Sequence, residues 1–175
     1  MKSPVFCASA LVLIVAAAAP AHAQEVFGGV YSHDVKTGVT KSGFEDGVDF
    51  QIGWRGKRIQ ALNAIGAPSP HAFLSVNSAG ETNSAAAGIS WKIGGAFYVR
   101  PGIGVAVHDG PAGFRRDRIY FGSRILFEPE IGVGVQLNDR AGIEASWVHL
   151  SHAKLFNSEN PGVDNIGLRL NYRFR

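Results

Sequence analysis

Side chains along most of this chain alternate between apolar and polar with a period of two. Such alternation suits a β-strand, whose successive side chains point to opposite faces, and it does not suit a helix. In 143–151 the odd positions are Ile143, Ala145, Trp147, His149 and Ser151; the even ones are Glu144, Ser146, Val148 and Leu150. In 164–174 the even positions are Asp164, Ile166, Leu168, Leu170, Tyr172 and Phe174, against Asn165, Gly167, Arg169, Asn171 and Arg173. Eight strand-like segments follow from this reading: 25–33, 45–55, 69–79, 82–93, 96–107, 120–137, 142–148 and 165–174. Gly94-Gly95 marks a tight hairpin. Residues 34–44 and 108–119 are polar loops, the second with Arg115, Arg116 and Arg118. The I-Q-A-L-N-A-I run within 56–68 fits a short helix or a strand extension.

The polar faces carry Asp49, Arg55, Arg100, Arg124, Glu128, Glu130, Glu144, Arg169 and Arg173, interspersed with glycine. A solvated exterior would be richer in Lys and Glu. Turning the sheet inside out accounts for the pattern. The apolar face then meets lipid, and the charged face becomes a narrow interior of paired ions. The fold class is all-β, an eight-stranded antiparallel transmembrane β-barrel. Trp54, Trp91 and Trp147, with Tyr172 and Phe174, supply an interfacial aromatic girdle. The competing architecture is a soluble lipocalin-type barrel with its apolar side chains facing in.

The chain of 175 residues has room for one such domain. Residues 1–23 read as a secretory signal: Lys2, an apolar run over 8–19, and the small-residue site Ala21-His22-Ala23. The barrel domain is then 24–175. The single cysteine, Cys7, falls inside the signal. That excludes disulfides, thiolate metal sites and cysteine nucleophiles from the mature chain. His33, His71, His108, His149 and His152 show no ligand spacing beyond His149/His152, which straddle both faces of a strand, so no metal is expected. Without Lys2 the chain carries 16 basic and 14 acidic side chains. So small an excess gives no reason to expect a nucleic-acid partner.

His149, Ser151 and Asp164 share the apolar parity at the same end of adjacent strands. Polar groups facing lipid are costly unless they pair. Residues i and i+2 stand roughly 6–7 Å apart on one face, so His149 can reach the Ser151 hydroxyl while Asp164 holds its other nitrogen. This is the logic of a hydrolase triad. The bland alternative is an ordinary polar barrel rim.

The same residues carry a family resemblance. His149-Leu150-Ser151, followed by Asn160-Pro161-Gly162-Val163-Asp164 and a strand ending in aromatics, resembles the lipid A 3-O-deacylase (PagL-type) family of Gram-negative outer membranes. The G-S-R-I-L-F run at 122–127, D-N-I-G-L-R-L-N-Y-R-F at 164–174 and, more loosely, S-V-N-S-A-G-E-T-N at 75–83 extend the likeness over about 69–175. The resemblance implies an outer-membrane esterase that removes the ester-linked 3-hydroxyacyl chain at position 3 of lipid A, with water as acceptor and no cofactor. It implies Ser151 as nucleophile, His149 as base and then acid, Asp164 as its orienter and Asn160 as oxyanion donor. The implied partners are lipopolysaccharide and the outer membrane, with a homodimer as one open assembly. The family usually continues His-x-Ser-Asn-Ala-Gly, whereas Ser151 here precedes His152, Ala153 and Lys154. His152 reads as a rim or lumen residue, and Lys154 has less backbone freedom than glycine. Lys154, Arg115, Arg116 and Arg118 are read as solvated loop charges, with contact to lipid A phosphates as the functional alternative. A non-catalytic small barrel is the runner-up.

Overall fold

The computed structural model describes residues 23–40, 43–158 and 160–174. The expected signal at 1–23 lies outside these residues except for Ala23. The strands are β1 Ala23–Ser32, β2 Val48–Gly56, β3 Ser69–Asn77, β4 Ser84–Ser90, β5 Ile93–Gly94, β6 Phe97–His108, β7 Ile125–Gln136, β8 Ala141–Leu150 and β9 Val163–Arg173. The two-residue β5 continues β4, and both pair with β6. Eight staves result. Each is antiparallel to its neighbours, and pairing of β1 with β9 completes the circuit. Closure satisfies the backbone without leaving a sheet edge, which is the condition for strands to cross a bilayer.

The inside-out reading holds. Phe50, Ile52, Phe97, Val133, Leu168 and Leu170 are exposed on the outer wall. Arg55, Arg100, Glu128, Glu130, Glu144 and Arg169 are buried in the lumen. The lipocalin arrangement is thereby excluded. Arg55 donates to Glu25 at 2.8 Å and to Glu144 at 3.4 Å; Arg100 donates to Glu144 at 2.9 Å. Arg169 pairs with Glu130 at 2.7 Å and with Glu144 at 3.5 Å. These side chains also explain the glycine dilution. A Cβ on Gly132 would stand 2.6 Å from the Glu144 carboxylate, so the lumen face must leave space beside each long charged residue. Towards the other end the lumen is plugged by Ile119, Phe121, Leu126, Val148, Leu150 and Val163.

Two strand boundaries need correction. The strand expected from residue 45 begins at Val48, because Glu45 is drawn into contacts between loops. The strand expected over 120–137 begins at Ile125. Phe121 is therefore not on the lipid face; it packs on His108 with centroids 4.5 Å apart. Arg124 is not a lumen charge either: it donates to the His108 and Gly110 carbonyls from the loop. The untyped run at 56–68 forms a short 3₁₀ helix, Gln60–Ile65, closed by Gly66 in the left-handed region.

The two ends of the barrel differ. One carries the start of β1, the end of β9 and the connections 57–68, 95–96 and 137–140. The other carries the connections 33–47, 78–83, 109–124 and 151–162. At this loop end Glu45 ties three connections together. It accepts from His33 Nε2 at 3.1 Å, Thr82 Oγ1 at 3.0 Å, Arg118 Nε at 2.8 Å and the Ile119 N–H at 3.1 Å. Burial alone would raise the Glu45 carboxyl. The donors His33, Arg118, Thr82 and Ile119 outweigh it and bring the group down to about 2. Burial likewise lowers His33, but its bonds to Asp49 and Glu45 prevail and raise it to about 9. Arg118 also meets Glu81, so it is a structural clamp and not a free loop cation.

Candidate active site

His149 and Asp164 are directly opposite one another in the β8–β9 ladder. Both have the outward parity expected of them. His149 Nδ1 lies 2.7 Å from Asp164 Oδ1, and His149 Nε2 lies 2.8 Å from Ser151 Oγ. Asp164 Oδ1 also accepts from Trp147 Nε1 at 2.9 Å. Its Oδ2 accepts from the Thr37 hydroxyl and from Thr40 Oγ1 at 3.1 Å. Trp147 can only donate and both threonine hydroxyls donate, so the carboxyl group accepts on both of its oxygens. His149 thus turns Nδ1 to an acceptor and Nε2 to the Ser151 hydroxyl, the arrangement in which a proton on Nδ1 leaves Nε2 able to serve as base.

The site is not an open patch of outer wall. His149 and Ser151 are 8% and 9% exposed, and Asp164 is wholly buried. The connection 33–47 covers Asp164. Trp147, assigned to the aromatic girdle from its sequence position, bonds Asp164 and packs on His149 at 5.9 Å between centroids.

Ser151 continues β8 as an isolated bridge to Phe127, and its N–H donates to the Phe127 carbonyl at 3.2 Å. The His152 N–H donates to Asn160 Oδ1 at 3.0 Å. The two backbone donors nearest the nucleophile are thus engaged. Asn160, expected from the sequence to be the oxyanion donor, is held by its side-chain oxygen. Gly162 of the same motif has φ +68°, and a Cβ there would come within 3.2 Å of His149 Cε1. Glycine is therefore required on both conformational and steric grounds. His152 is buried and its Nε2 bonds the Phe121 carbonyl at 2.7 Å. It anchors the connection 151–162 and does not face the triad.

Ala153 and Lys154 both lie in the left-handed region, at φ 53° and 60°, inside a turn closed by the Leu155 N–H on the His152 carbonyl. Lys154→Gly is expected to stabilise the fold by about 0.5–1 kcal/mol. The left-handed conformation costs a side-chain-bearing residue ~1–2 kcal/mol, and the extra freedom of unfolded glycine offsets ~0.5–1 kcal/mol of that gain. Urea titration in detergent measures the difference. A midpoint unchanged or lowered would show that the lysine bears no strain.

The fold also gathers a group of possible metal ligands that the histidine spacing does not show. Donor atoms of His71, Glu128 and Glu130 lie within 4.8 Å of one another in the lumen. Glu130 is already held by Arg169, and His71 Nε2 bonds Glu128 at 3.1 Å.

Comparison with known proteins places these features in context. Residues 52–173 match the family described as Lipid A 3-O-deacylase (PagL). No curated protein matches the chain at a significant level. Among solved structures, the outer membrane enzyme PagL superposes with a TM-score of 0.62 at 21% identity, covering 86% of this chain and 99% of that one. The Yersinia pestis outer membrane protein Ail superposes with a TM-score of 0.46 at 12% identity over the same shares.

Proposed function

This chain belongs to the lipid A 3-O-deacylase (PagL) family of outer-membrane ester hydrolases, and from that premise we propose that it removes the 3-O-linked 3-hydroxyacyl chain of lipid A with Ser151, His149 and Asp164 as its catalytic triad. The observation that carries the assignment is the relay from Asp164 through His149 to Ser151, with links of 2.7 and 2.8 Å.

In the proposed reaction His149 Nε2 takes the Ser151 hydroxyl proton as Oγ attacks the ester carbonyl. The carbonyl oxygen gains charge in the tetrahedral intermediate and is received by the Asn160 amide. Collapse breaks the bond to the sugar oxygen, which leaves as the 3-hydroxyl of lipid A after protonation by His149. Water, deprotonated by the same nitrogen, then attacks the acyl-serine, releases the 3-hydroxy fatty acid and restores Ser151. Asp164 stabilises the imidazolium at each stage.

The outward parity of the triad suits a substrate whose acyl chains stay in the bilayer. We place the end bearing the start of β1 and the end of β9 in the periplasm and the loop end at the cell surface, so that the triad lies at the depth of the outer leaflet. Signal removal after residue 23 would start the mature barrel at Gln24. The test is mass spectrometry of lipid A from cells expressing the wild type or Ser151→Ala. The expected result is loss of one 3-hydroxyacyl group with the wild type alone. Equal loss with Ser151→Ala, or no loss by the wild type either in cells or in detergent, would refute the assignment.

A further inference from the structure

We propose that Thr37 and Thr40, in the connection between β1 and β2, are positioning residues of the triad: they hold the Asp164 carboxylate by its second oxygen and so set the angle at which it meets His149. The inference rests on the catalytic role given to Asp164 above. Both threonines lie outside the residues 52–173 that match the family, so the family match does not supply them.

Each oxygen of Asp164 has its own pair of donors. Oδ1 takes His149 and Trp147, both from the barrel wall. Oδ2 takes Thr37 and Thr40, both from the connection. A carboxylate held at one oxygen alone can swing about its χ2 torsion, which is broad for a terminal sp³–sp² bond. Held at both, it cannot. The Thr37 hydroxyl is itself oriented, because Thr37 Oγ1 accepts the Val39 N–H at 3.0 Å and its single proton is left for Asp164.

The connection is built to keep the threonines there. The Val35 N–H donates to the Asp164 carbonyl at 2.7 Å, and the Asp34 N–H to Asn165 Oδ1 at 3.1 Å. Asp34 Oδ2 then gathers the N–H groups of Gly43, Phe44 and Glu45 at 2.8, 2.8 and 3.0 Å, closing the segment on itself. Glu45 ties its far end to the neighbouring connections. Thr40 Cγ2 would be only 3.0 Å from a Cβ on Gly162, so the clamp seats directly on the motif that carries Asp164.

Replacing both threonines by valine keeps their shape and removes both hydroxyl donors. With less of its charge spent on Oδ2, Asp164 stabilises the His149 imidazolium more, so the acid limb of kcat/KM moves up by about half a pH unit. Loss of orientation lowers kcat by roughly tenfold, with KM changed less than twofold. The measurements are deacylation of lipid A in detergent and the pH-dependent rate at which a fluorophosphonate probe labels Ser151. The Thr37→Ser/Thr40→Ser variant should restore both, and Lys36→Ala, an exposed change in the same connection, should match the wild type. Valine variants that keep the wild-type kcat and acid limb would overturn the proposal. So would serine variants impaired as much as the valine ones, since that outcome reports a packing role. Should the double valine variant fail to fold, Thr40→Val alone must still move the acid limb. The probe separates the two readings: a wild type that neither labels nor deacylates refutes the triad itself. A labelled wild type with unaltered threonine variants refutes only the clamp.

Discussion

Asp164→Asn is expected to lower kcat about 10²–10³-fold, which is less than the ~10⁴-fold loss that follows when such a substitution flips the histidine tautomer. The difference comes from the donors around the residue. Trp147 Nε1 can only donate, and it shares Oδ1 with His149. An amide nitrogen turned to that side would face two N–H groups. On the other side are two hydroxyls, which can rotate to accept. The amide oxygen is therefore kept towards His149, the proton stays on Nδ1, and Nε2 still accepts from Ser151. What is lost is the full negative charge beside the developing imidazolium, on the order of 3–4 kcal/mol in a dry site. Single-turnover deacylation in detergent gives the rate, and the nitrogen chemical shifts of His149 give the tautomer. A ~10⁴-fold loss with the proton moved to Nε2 would show that Trp147 does not steer the amide.

Arg169→Leu is expected to destabilise the barrel by about 3–5 kcal/mol, the range for removing one partner of a buried ion pair. Arg169 is wholly buried and serves Glu130, Glu144 and Gln51 together. Without it buried Glu130 is left with Arg55 at 4.0 Å as its guanidinium partner, and buried Glu144 with Arg55 and Arg100. Combining Arg169→Leu with Glu130→Gln removes one unmatched charge and should recover a large part of the loss. The guanidinium-induced loss of heat-modifiable gel mobility in detergent gives the midpoints. A single-variant loss below about 1 kcal/mol would mean that the network is solvated, because exposed pairs contribute no more than that.

The motif carried much of the site because it lies on adjoining strands. His149 and Ser151 are two apart on β8, and Asp164 enters the next strand. Strand periodicity by itself puts all three on one face. Asn160 and Gly162 sit in the same connection and came with the motif. Trp147 had a readable signal too, being two residues before His149 on the same face, yet its indole was assigned to the lipid interface. Thr37 and Thr40 had none. They reach Asp164 from more than 120 residues away in the chain, and a polar loop carries no periodicity from which such a contact can be read.

The sequence by itself determined the period, the parity and the inversion: which residues face lipid, which face the lumen, and at which end the triad gathers. These properties belong to a strand and its neighbours, and a period of two expresses them in linear order. Only the tertiary structure decided which ions pair across the lumen, where strands yield to loops at Glu45 and Phe121, and that the triad is covered. Those outcomes depend on barrel closure, which brings β1 against β9 and lays the first connection over the last motif.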